Sequence, residues 1–236
     1  LEVADILRQH VHEYRQTYPL LPEHKKIVSS VLNCRTAHLG GHIERCDACG
    51  TKRVTYHSCR NRHCPKCQTL AKASWVENRQ RELLPTPYFH NVFTLPHELN
   101  PLILASQRNR RVLLDLLFRT AADTLLAFGR NNLGGKVGIT MVLNTWDQQL
   151  RAHFHQHCVI AGGAIGEDGT KWIDAGKTFL FPVRALSTVF RAKYLETLQQ
   201  VLDKGQLDLP PRQPGELSPL QGRRRWLRRL RKHPWV

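Results

Sequence analysis

The sequence is poor in acidic side chains and has no long apolar run. Its 236 residues include 19 Asp and Glu against 35 Lys and Arg, a formal net charge of +16. Such an excess of positive charge attracts polyanions, so we expect a nucleic acid as the partner. A membrane partner is not expected, because no segment approaches about 18 consecutive apolar residues. No glycine-rich phosphate loop precedes a helix, so we expect no nucleotide cofactor.

Cysteines are few but concentrated: five of the seven lie between positions 46 and 67. The frame Cys46-x2-Cys49-x14-Cys64-x2-Cys67 is typical of a structural zinc site. Each Cys-x2-Cys knuckle directs two thiolates at one ion, and two knuckles complete a tetrahedron. A disulfide framework is the alternative. We disfavour it because the sequence shows no signal peptide and a reducing cytosol favours metal-bound thiolates.

The fifth cysteine, Cys59, has no fixed place in this frame. It could replace Cys64 as a ligand or be buried as a small apolar group. A third possibility is a second zinc ion, held together with His63, His57 or His42. The basic residues Arg60 and Arg62 lie between the knuckles, on a loop that zinc would hold rigid. We therefore predict that these two arginines contact nucleic-acid phosphates, with solvated loop charges as the alternative.

Three histidines alternate along the segment 152–161. Side chains of a strand point to alternate faces, so His153, His155 and His157 would share one surface. The opposite face would carry four side chains, Phe154, Gln156, Cys158 and Ile160. Neutral imidazoles two residues apart can converge on one divalent cation, whereas a merely polar sheet face would leave them solvated. We predict a metal site here, with Gly162-Gly163 ending the strand as a turn.

Periodicity and breaker residues predict a mixed α+β chain. Pro85 and Pro87 mark the likeliest domain boundary. Helical spacing predicts helices over 2–17, 22–33, 68–84, 99–129 (as two helices) and 183–204. Strands are predicted over 88–95, 137–146 and 151–161, the last two as a hairpin, with a short strand near Trp172. Residues 205–222 have the composition of a linker.

The segment 223–232 carries seven cations and no acid. As a helix it would lay Trp226, Leu227 and Leu230 on the protein and turn its cations towards a phosphate backbone. The predicted nucleic-acid contacts are Arg223, Arg224, Arg225, Arg228 and Arg229. A solvated helix face is the alternative.

Both halves of the sequence resemble the insertion sequence 91 family of transposases, which are rolling-circle enzymes of the HUH class. The N-terminal resemblance rests on Cys34-Arg35-Thr36, Gly40-Gly41-His42, Cys46-x2-Cys49-Gly50 and Ser58-Cys59-Arg60-Asn61-Arg62-His63-Cys64-Pro65-Lys66-Cys67-Gln68. The second half contributes Tyr88-Phe89-His90, Phe93-Thr94-Leu95-Pro96, Thr145-Trp146, Gln148, Leu150, His153-Phe154-His155-Gln156-His157-Cys158 and Gly162-Gly163. The resemblance runs from about Val3 to Lys193. Two positions depart from it: Phe154 stands where the family usually has Pro, and Gln156 where it has an aliphatic residue.

The resemblance implies a fold and a domain order. Residues 1–84 would be a helical, zinc-binding and DNA-binding region. Residues 85–204 would form an HUH-type antiparallel sheet flanked by helices, and 205–236 a Pro-rich linker and basic helix. The implied location is the bacterial cytoplasm, in association with the nucleoid.

The implied activity is metal-dependent nicking and strand transfer of single-stranded DNA at the ends of a mobile element. His155 and His157 would hold Mg²⁺ or Mn²⁺, with Gln148 as candidate third ligand and His153 as a neighbour, while zinc would be structural. The nucleophile would be a tyrosine forming a 5′-phosphotyrosine link. The chain has five tyrosines, Tyr14, Tyr18, Tyr56, Tyr88 and Tyr194.

In the family the catalytic tyrosines lie further towards the C-terminus than any of these five. We therefore expect a fragment that ends before its nucleophile and is inactive alone. Tyr194 is expected to be a packing residue. Two other functions stay open: a non-catalytic zinc-ribbon module that binds nucleic acid, and a metallohydrolase. The second is disfavoured because no carboxylate accompanies the histidines.

Overall fold

The computed structural model describes residues 1–209, 220–233 and 235. It divides the chain into two compact units, Leu1–Leu83 and Leu84–Val236, referred to below as the N-terminal and C-terminal units. The division falls directly before Pro85 and Pro87. Most of the predicted linker, residues 210–219, lies outside the described residues.

The N-terminal unit has three helices and one hairpin. The helices are α1 (Val3–Thr17), α2 (Pro22–Asn33) and α3 (Pro65–Arg81), and the hairpin strands are β1 (Gly41–Arg45) and β2 (Lys52–Tyr56). Both α2 and α3 begin with proline, whose fixed φ suits the first helical position. The buried core contains only four residues, Ala4, Val31, Cys34 and Cys64. So small an apolar core stabilises a fold weakly, and half of it is cysteine.

The C-terminal unit contains the sheet and the longer helices. Its elements are β3 (Tyr88–Thr94), α4 (Asn100–Leu104), α5 (Gln107–Phe128), β4 (Gly135–Trp146), β5 (Ala152–Gly166), β6 (Trp172–Asp174), α6 (Val183–Asp203) and α7 (Leu220–Lys232). Among the described residues, no helix combines the length and the apolar character needed to cross a bilayer.

The sheet is antiparallel, with strand order β3-β5-β4, and β6 pairs with the far end of β5. Strand β5 is therefore central, and His157 lies level with Val92 of β3 and Val142 of β4. Helices pack on one face of the sheet, where the rings of Phe93 and Phe190 lie 4.8 Å apart. The predicted α+β class, an antiparallel sheet flanked by helices, is confirmed.

Strand β5 divides its side chains as its alternation predicts. Phe154, Gln156, Cys158 and Ile160 are buried, whereas His153, His155 and His157 are partly exposed on the opposite face. Helix α7 divides in the same way, because Trp226, Leu227 and Leu230 are buried in the core of the unit. Both predicted apolar faces are confirmed.

The predicted turn at Gly162-Gly163 is wrong, because β5 continues to Gly166. These glycines serve close packing instead. A Cβ atom on Gly162 would lie 2.7 Å from the carbonyl oxygen of Pro87, and one on Gly163 would lie 2.3 Å from the Trp172 ring. Glycine therefore lets the strand pass under two neighbouring segments, a demand that local sequence does not reveal.

Gln156 is the exception on the buried face of β5. Its side chain is 0% exposed, and neither its amide nitrogen nor its amide oxygen has a hydrogen-bond partner among the described residues. A buried polar group without a partner costs about 1–3 kcal/mol. We expect Gln156→Met, similar in length and apolar, to raise the free energy of unfolding by about 1 kcal/mol in a denaturant titration. Gln149→Met, in an exposed turn, is the control and should change little. A clear loss of stability in Gln156→Met would contradict the interpretation that the buried amide of Gln156 destabilises the fold.

Candidate functional site

Four cysteines of the N-terminal unit converge on one point. The Sγ atoms of Cys34, Cys59, Cys64 and Cys67 all lie within 4.8 Å of one another. The Sγ atom of Cys67 is 3.5 Å from that of Cys34 and 3.6 Å from that of Cys59. A tetrahedral zinc ion about 2.3 Å from each thiolate would place the sulfurs about 3.8 Å apart. The cluster therefore fits a four-coordinate zinc ion.

Helix ends position these thiols. Cys34 follows the last residue of α2, and Cys59 follows β2 at the base of the hairpin. Cys64 is the residue directly before α3, and Cys67 lies in the first turn of that helix. Cys34 and Cys64 are 2% and 1% exposed. The site thus joins the end of α2 to the start of α3 through Cys34, Cys64 and Cys67.

The thiols of the cluster differ in acidity. Burial raises the pKa of Cys59 to about 12. Burial also opposes ionisation of Cys67, but hydrogen bonds from Cys34, Cys59 and Cys64 outweigh it and lower the pKa of Cys67 to about 7. A thiolate that the neighbouring thiols stabilise is expected at a metal site. There a bound cation would compensate the negative charge of the remaining thiolates.

The other predicted knuckle, Cys46 and Cys49, lies apart from this cluster. Both residues are exposed at the tip of the β1–β2 hairpin. The knuckle itself is well formed: the Gly50 N–H donates to the Cys46 carbonyl oxygen at 2.8 Å, and Gly50 has a φ of 72°. The Thr51 hydroxyl, 3.1 Å from the Cys49 Sγ atom, is the first cause lowering the pKa of Cys49 to about 7.

The structure therefore departs from the ligand frame that spacing predicts. The cluster contains Cys64 and Cys67 of that frame. Cys34 and Cys59 take the places that the frame gave to Cys46 and Cys49. The physical reason is the hairpin. Each of its strands has five residues, and at about 3.3 Å per residue they carry the tip roughly 16 Å from the base where Cys59 lies.

Five histidines form a continuous file in the C-terminal unit, on the sheet face away from the helices. In spatial order they are His90, His157, His155, His153 and His97. The rings of His155 and His157 lie 5.0 Å apart. Sequence reasoning singled out the three histidines of β5. It missed His90 and His97 because each stands alone in its own segment.

Hydrogen bonds orient the two predicted ligands. The Nδ1 atom of His155 lies 3.1 Å from the carbonyl oxygen of His153, to which it can donate a proton. The Nδ1 atom of His157 lies 2.8 Å from the Nε2 atom of His90. In both rings the Nε2 atom is therefore the one available to a metal. Burial lowers the pKa of His157, and the adjacent His155 and His90 lower it further, which favours the neutral form that binds metal.

The position facing these two rings on β4 is occupied by Asn144. It pairs with His155 in the sheet register, and its Nδ2 atom lies 3.3 Å from the Nε2 atom of His157. Gln148, the predicted third ligand, lies instead on the exposed turn between β4 and β5. Between Gln148 and Asn144 the sheet register also shifts, because β5 carries one residue more than β4 between the pairs Asn144–His155 and Trp146–Ala152. Asn144 escaped the sequence analysis because strand register alone places it there.

The far end of the file is a second histidine pair. The Nε2 atom of His97 lies 2.9 Å from the Nδ1 atom of His153, and the two rings meet edge to face. Burial lowers the pKa of His153, and the neighbouring His155 and His97 contribute. His153 is therefore engaged by His97, next to the pair formed by His155 and His157.

The predicted DNA contacts lie in both units. Arg60 and Arg62 are exposed on the loop before α3, and the Nε atom of Arg62 donates to His63 at 3.2 Å. On α7, Arg224, Arg225, Arg228 and Arg229 are exposed. Arg223 differs, since it donates to the Leu202 carbonyl oxygen at 3.1 Å and lies 3.5 Å from the Asp203 carboxylate. That contact ties α7 to the end of α6.

Tyr194 is confirmed as a packing residue. Its side chain is fully buried, its hydroxyl donates to the Leu113 carbonyl oxygen at 3.3 Å, and burial raises its pKa. Tyr88 lies on β3, and its hydroxyl accepts a hydrogen bond from the Leu84 N–H at 2.9 Å. Neither hydroxyl is presented as a free nucleophile.

Comparison with known families matches both units. Residues 6–95 match a family model described as "Transposase zinc-binding domain", and residues 138–236 match one described as "Putative transposase". The first model is the zinc-binding domain of insertion sequence 91 transposases. The chain belongs to this family. It carries a zinc-binding domain, and its four-cysteine cluster supplies the donor set that Zn²⁺ requires.

Two curated relatives agree with this assignment. "Putative transposase y4qJ" of Sinorhizobium fredii (strain NBRC 101917 / NGR234) is 44% identical over all of this chain, which spans 59% of that relative's length. The transposase for insertion sequence element IS801 of Pseudomonas savastanoi pv. phaseolicola is 35% identical over 60% of this chain and 34% of its own length. Both relatives are therefore longer than the part that this chain matches.

Solved structures of a relaxase are similar over part of the chain. One of them is the conjugative relaxase TrwC in complex with oriT DNA, in a metal-bound form. The TM-score is 0.39 and the identity 18%, over 48% of this chain and 43% of the relaxase chain.

Proposed function

We propose that this chain is the metal-binding and DNA-binding part of a transposase that nicks single-stranded DNA. The main observation behind the proposal is the histidine pair of β5, which is partly exposed and lies beside Asn144 of β4. His155 and His157 present their Nε2 atoms on one face of the sheet, an arrangement that suits a divalent cation and that the sheet does not need for its own stability.

Asn144 is the third ligand in this proposal, in preference to Gln148. The amide of Asn144 can turn its oxygen instead of its nitrogen towards the point that the His157 Nε2 atom faces, since both orientations occupy the same space. His90 and the His153 carbonyl oxygen then hold the two rings in the ligating tautomer. Three neutral ligands would leave the full charge of Mg²⁺ or Mn²⁺ available to a phosphate.

The zinc site has a structural role in the proposal. Cys34, Cys59, Cys64 and Cys67 hold one zinc ion that replaces a hydrophobic core in the N-terminal unit. The cations of α7 and of the loop before α3 bind the DNA backbone electrostatically. We place this activity at the ends of a mobile element in the bacterial cytoplasm.

The proposed reaction is a transesterification at phosphorus. A tyrosine oxygen, after losing its proton, bonds to phosphorus, and the bond from phosphorus to the 3′ oxygen breaks. The 3′ oxygen leaves with a proton as a free hydroxyl, and the 5′ end stays linked to the tyrosine. The cation would polarise the phosphate when bound. We propose that this tyrosine lies outside the present residues, since in the unit that holds the histidine pair Tyr194 is buried and the Tyr88 hydroxyl is bonded to the Leu84 N–H.

The test is cleavage of 5′- and 3′-labelled single-stranded DNA with Mn²⁺ or Mg²⁺. A transposase of the relatives' full length that carries these residues should release a free 3′ hydroxyl and form a covalent adduct on the 5′ side. The present chain alone should bind the same DNA without cleaving it. DNA binding without any adduct in the longer protein would point to a non-catalytic zinc module. Cleavage with a free 5′ phosphate would indicate a hydrolase.

DNA binding by this chain should depend steeply on salt. For single strands the slope of log affinity against log salt is about −0.7 per neutralised phosphate. We expect the triple variant Arg224→Gln, Arg225→Gln, Arg228→Gln to reduce that slope by about 2, measured by fluorescence anisotropy. Its control removes equal charge from the exposed arginines of α5, in Arg108→Gln, Arg110→Gln, Arg111→Gln. Equal effects of the two triple variants would show that α7 has no special role.

A further inference from the structure

A cavity of about 600 Å³ lies in the N-terminal unit, beside strand β2. Three arginines line it, Arg35, Arg53 and Arg60, together with Tyr56 and His57. None of the four clustered cysteines contributes to its lining. The cavity is therefore distinct from the zinc site, although two of its arginines directly follow zinc-site cysteines.

Within the described residues, the arginines of this cavity have no acidic partner. In the part of the chain that the structure describes, Arg35, Arg53 and Arg60 form no ion pair and no side-chain hydrogen bond. Glu44 pairs with Arg53 in the hairpin register, but its carboxylate contacts His42 at 3.5 Å instead. Three cations that share a concave surface without compensation repel one another, and an anionic ligand would relieve that repulsion.

The backbone conformation of two of these arginines also supports an anionic ligand. Arg35 and Arg60 have φ angles of 56° and 51°, in the left-handed region. Each directly follows a cysteine of the cluster. A third residue directly after a cysteine, Gly50, has the same conformation, and there the side chain is absent. Glycine adopts the conformation without the steric cost that a side chain incurs. Arginine at two such positions on one cavity indicates that the guanidinium groups are needed there.

The chemistry of the lining identifies the ligand class. A guanidinium group presents a planar fork of donors that matches phosphate oxygens. Tyr56 is 43% exposed and His57 is exposed as well, so an aromatic face is available to an unpaired base. Arginine forks next to exposed rings suit a single strand, whose bases are free to stack, better than a duplex.

We propose that this cavity is a second DNA site, which holds two neighbouring phosphates of a single strand on Arg35, Arg60 and Arg53 and stacks one base on Tyr56. The inference rests on the proposed function for its choice of DNA as ligand. In this arrangement zinc acts on DNA binding indirectly, because Cys34 and Cys59 fix the residues that carry two of the three guanidinium groups.

The test is the affinity of the whole chain for a labelled 15-nucleotide oligo-dT, with zinc content and thermal transition measured on the same samples. The double variant Arg35→Gly, Arg60→Gly should bind about tenfold more weakly, with a salt slope reduced by about 1.4. It should keep its zinc, and its thermal transition should stay or rise, because glycine relieves the left-handed strain. Arg53→Gln should weaken binding less. The control of equal charge is Arg15→Gln, Lys25→Gln, on α1 and α2.

The proposal is overturned if the double variant binds the oligo-dT with unchanged affinity. It is also overturned if the control variant loses as much affinity as the double variant. If the double variant loses zinc, Arg53→Gln decides alone, and its unchanged affinity overturns the proposal. A larger effect of the variants on duplex than on single-stranded DNA overturns the choice of ligand. Failure of the unaltered chain to bind single-stranded DNA would count against the proposed function instead.

Discussion

Replacing Cys59 with serine is expected to remove the zinc ion and unfold the N-terminal unit. The buried core of that unit contains four residues, and two of them, Cys34 and Cys64, belong to the thiol cluster. Loss of one thiolate from a closed four-coordinate site removes most of the binding energy, which in such a unit is also folding energy. Helices α2 and α3 should then melt, because the cluster joins them, and α1 should follow, because its Ala4 packs in the same small core.

Two measurements check this expectation. Elemental analysis should find about one zinc ion per unaltered chain and close to none in Cys59→Ser. Far-ultraviolet circular dichroism should show the loss of part of the helical signal, and the C-terminal unit should retain its own unfolding transition. A chelator should reproduce the effect in the unaltered protein. Cys34→Ser should behave like Cys59→Ser.

The matched control is Cys46→Ser at the hairpin tip. The ligand frame predicted from spacing requires Cys46, whereas the geometry of the structure does not. Retained zinc and helicity in Cys46→Ser would support the cluster of Cys34, Cys59, Cys64 and Cys67. Loss of zinc in Cys46→Ser with zinc retained in Cys34→Ser would restore the frame of two knuckles and refute the cluster.

Substitution of His155 or His157 by alanine is expected to abolish metal-dependent nicking while leaving the fold intact. Both side chains lie on the partly exposed sheet face and contribute little to the core. Lewis-acid stabilisation of a phosphate is worth several kcal/mol, so loss of about 4 kcal/mol would slow cleavage about 1000-fold. Cleavage is measured on a transposase of the relatives' length, and Mn²⁺ binding and thermal unfolding on the present chain.

Variants around the pair separate ligands from neighbours. Asn144→Ala should weaken Mn²⁺ binding and cleavage strongly, whereas Gln148→Ala, on the exposed turn, should do so weakly. His90→Ala removes the partner of the His157 Nδ1 atom and should cost about 10–100-fold. His153→Ala should cost least. The reverse order for Asn144 and Gln148 would return Gln148 to the site, and an active His155→Ala would require another ligand set.

Much of the fold follows from local sequence. Alternation along β5 placed its histidines on one face and Phe154, Cys158 and Ile160 on the other, as the structure has them. Proline and cap positions gave the helix ends closely, since α2 begins at Pro22 as predicted and α3 at Pro65, three residues before the predicted start. Such signals are local because helix and strand periods, capping and proline stereochemistry act within a few residues.

The sequence by itself determined that this chain is basic, that it holds one cysteine-rich and one histidine-rich centre, and that it resembles insertion sequence 91 transposases. Only the tertiary structure decided which atoms meet at those centres. Cys34 reaches Cys67 across 33 residues, and His90 reaches His157 across 67. Asn144 meets His157 through strand register, and Gly163 passes Trp172 for lack of a Cβ atom. Chelation and close packing depend on how distant segments are brought together, and spacing along the chain carries no such information.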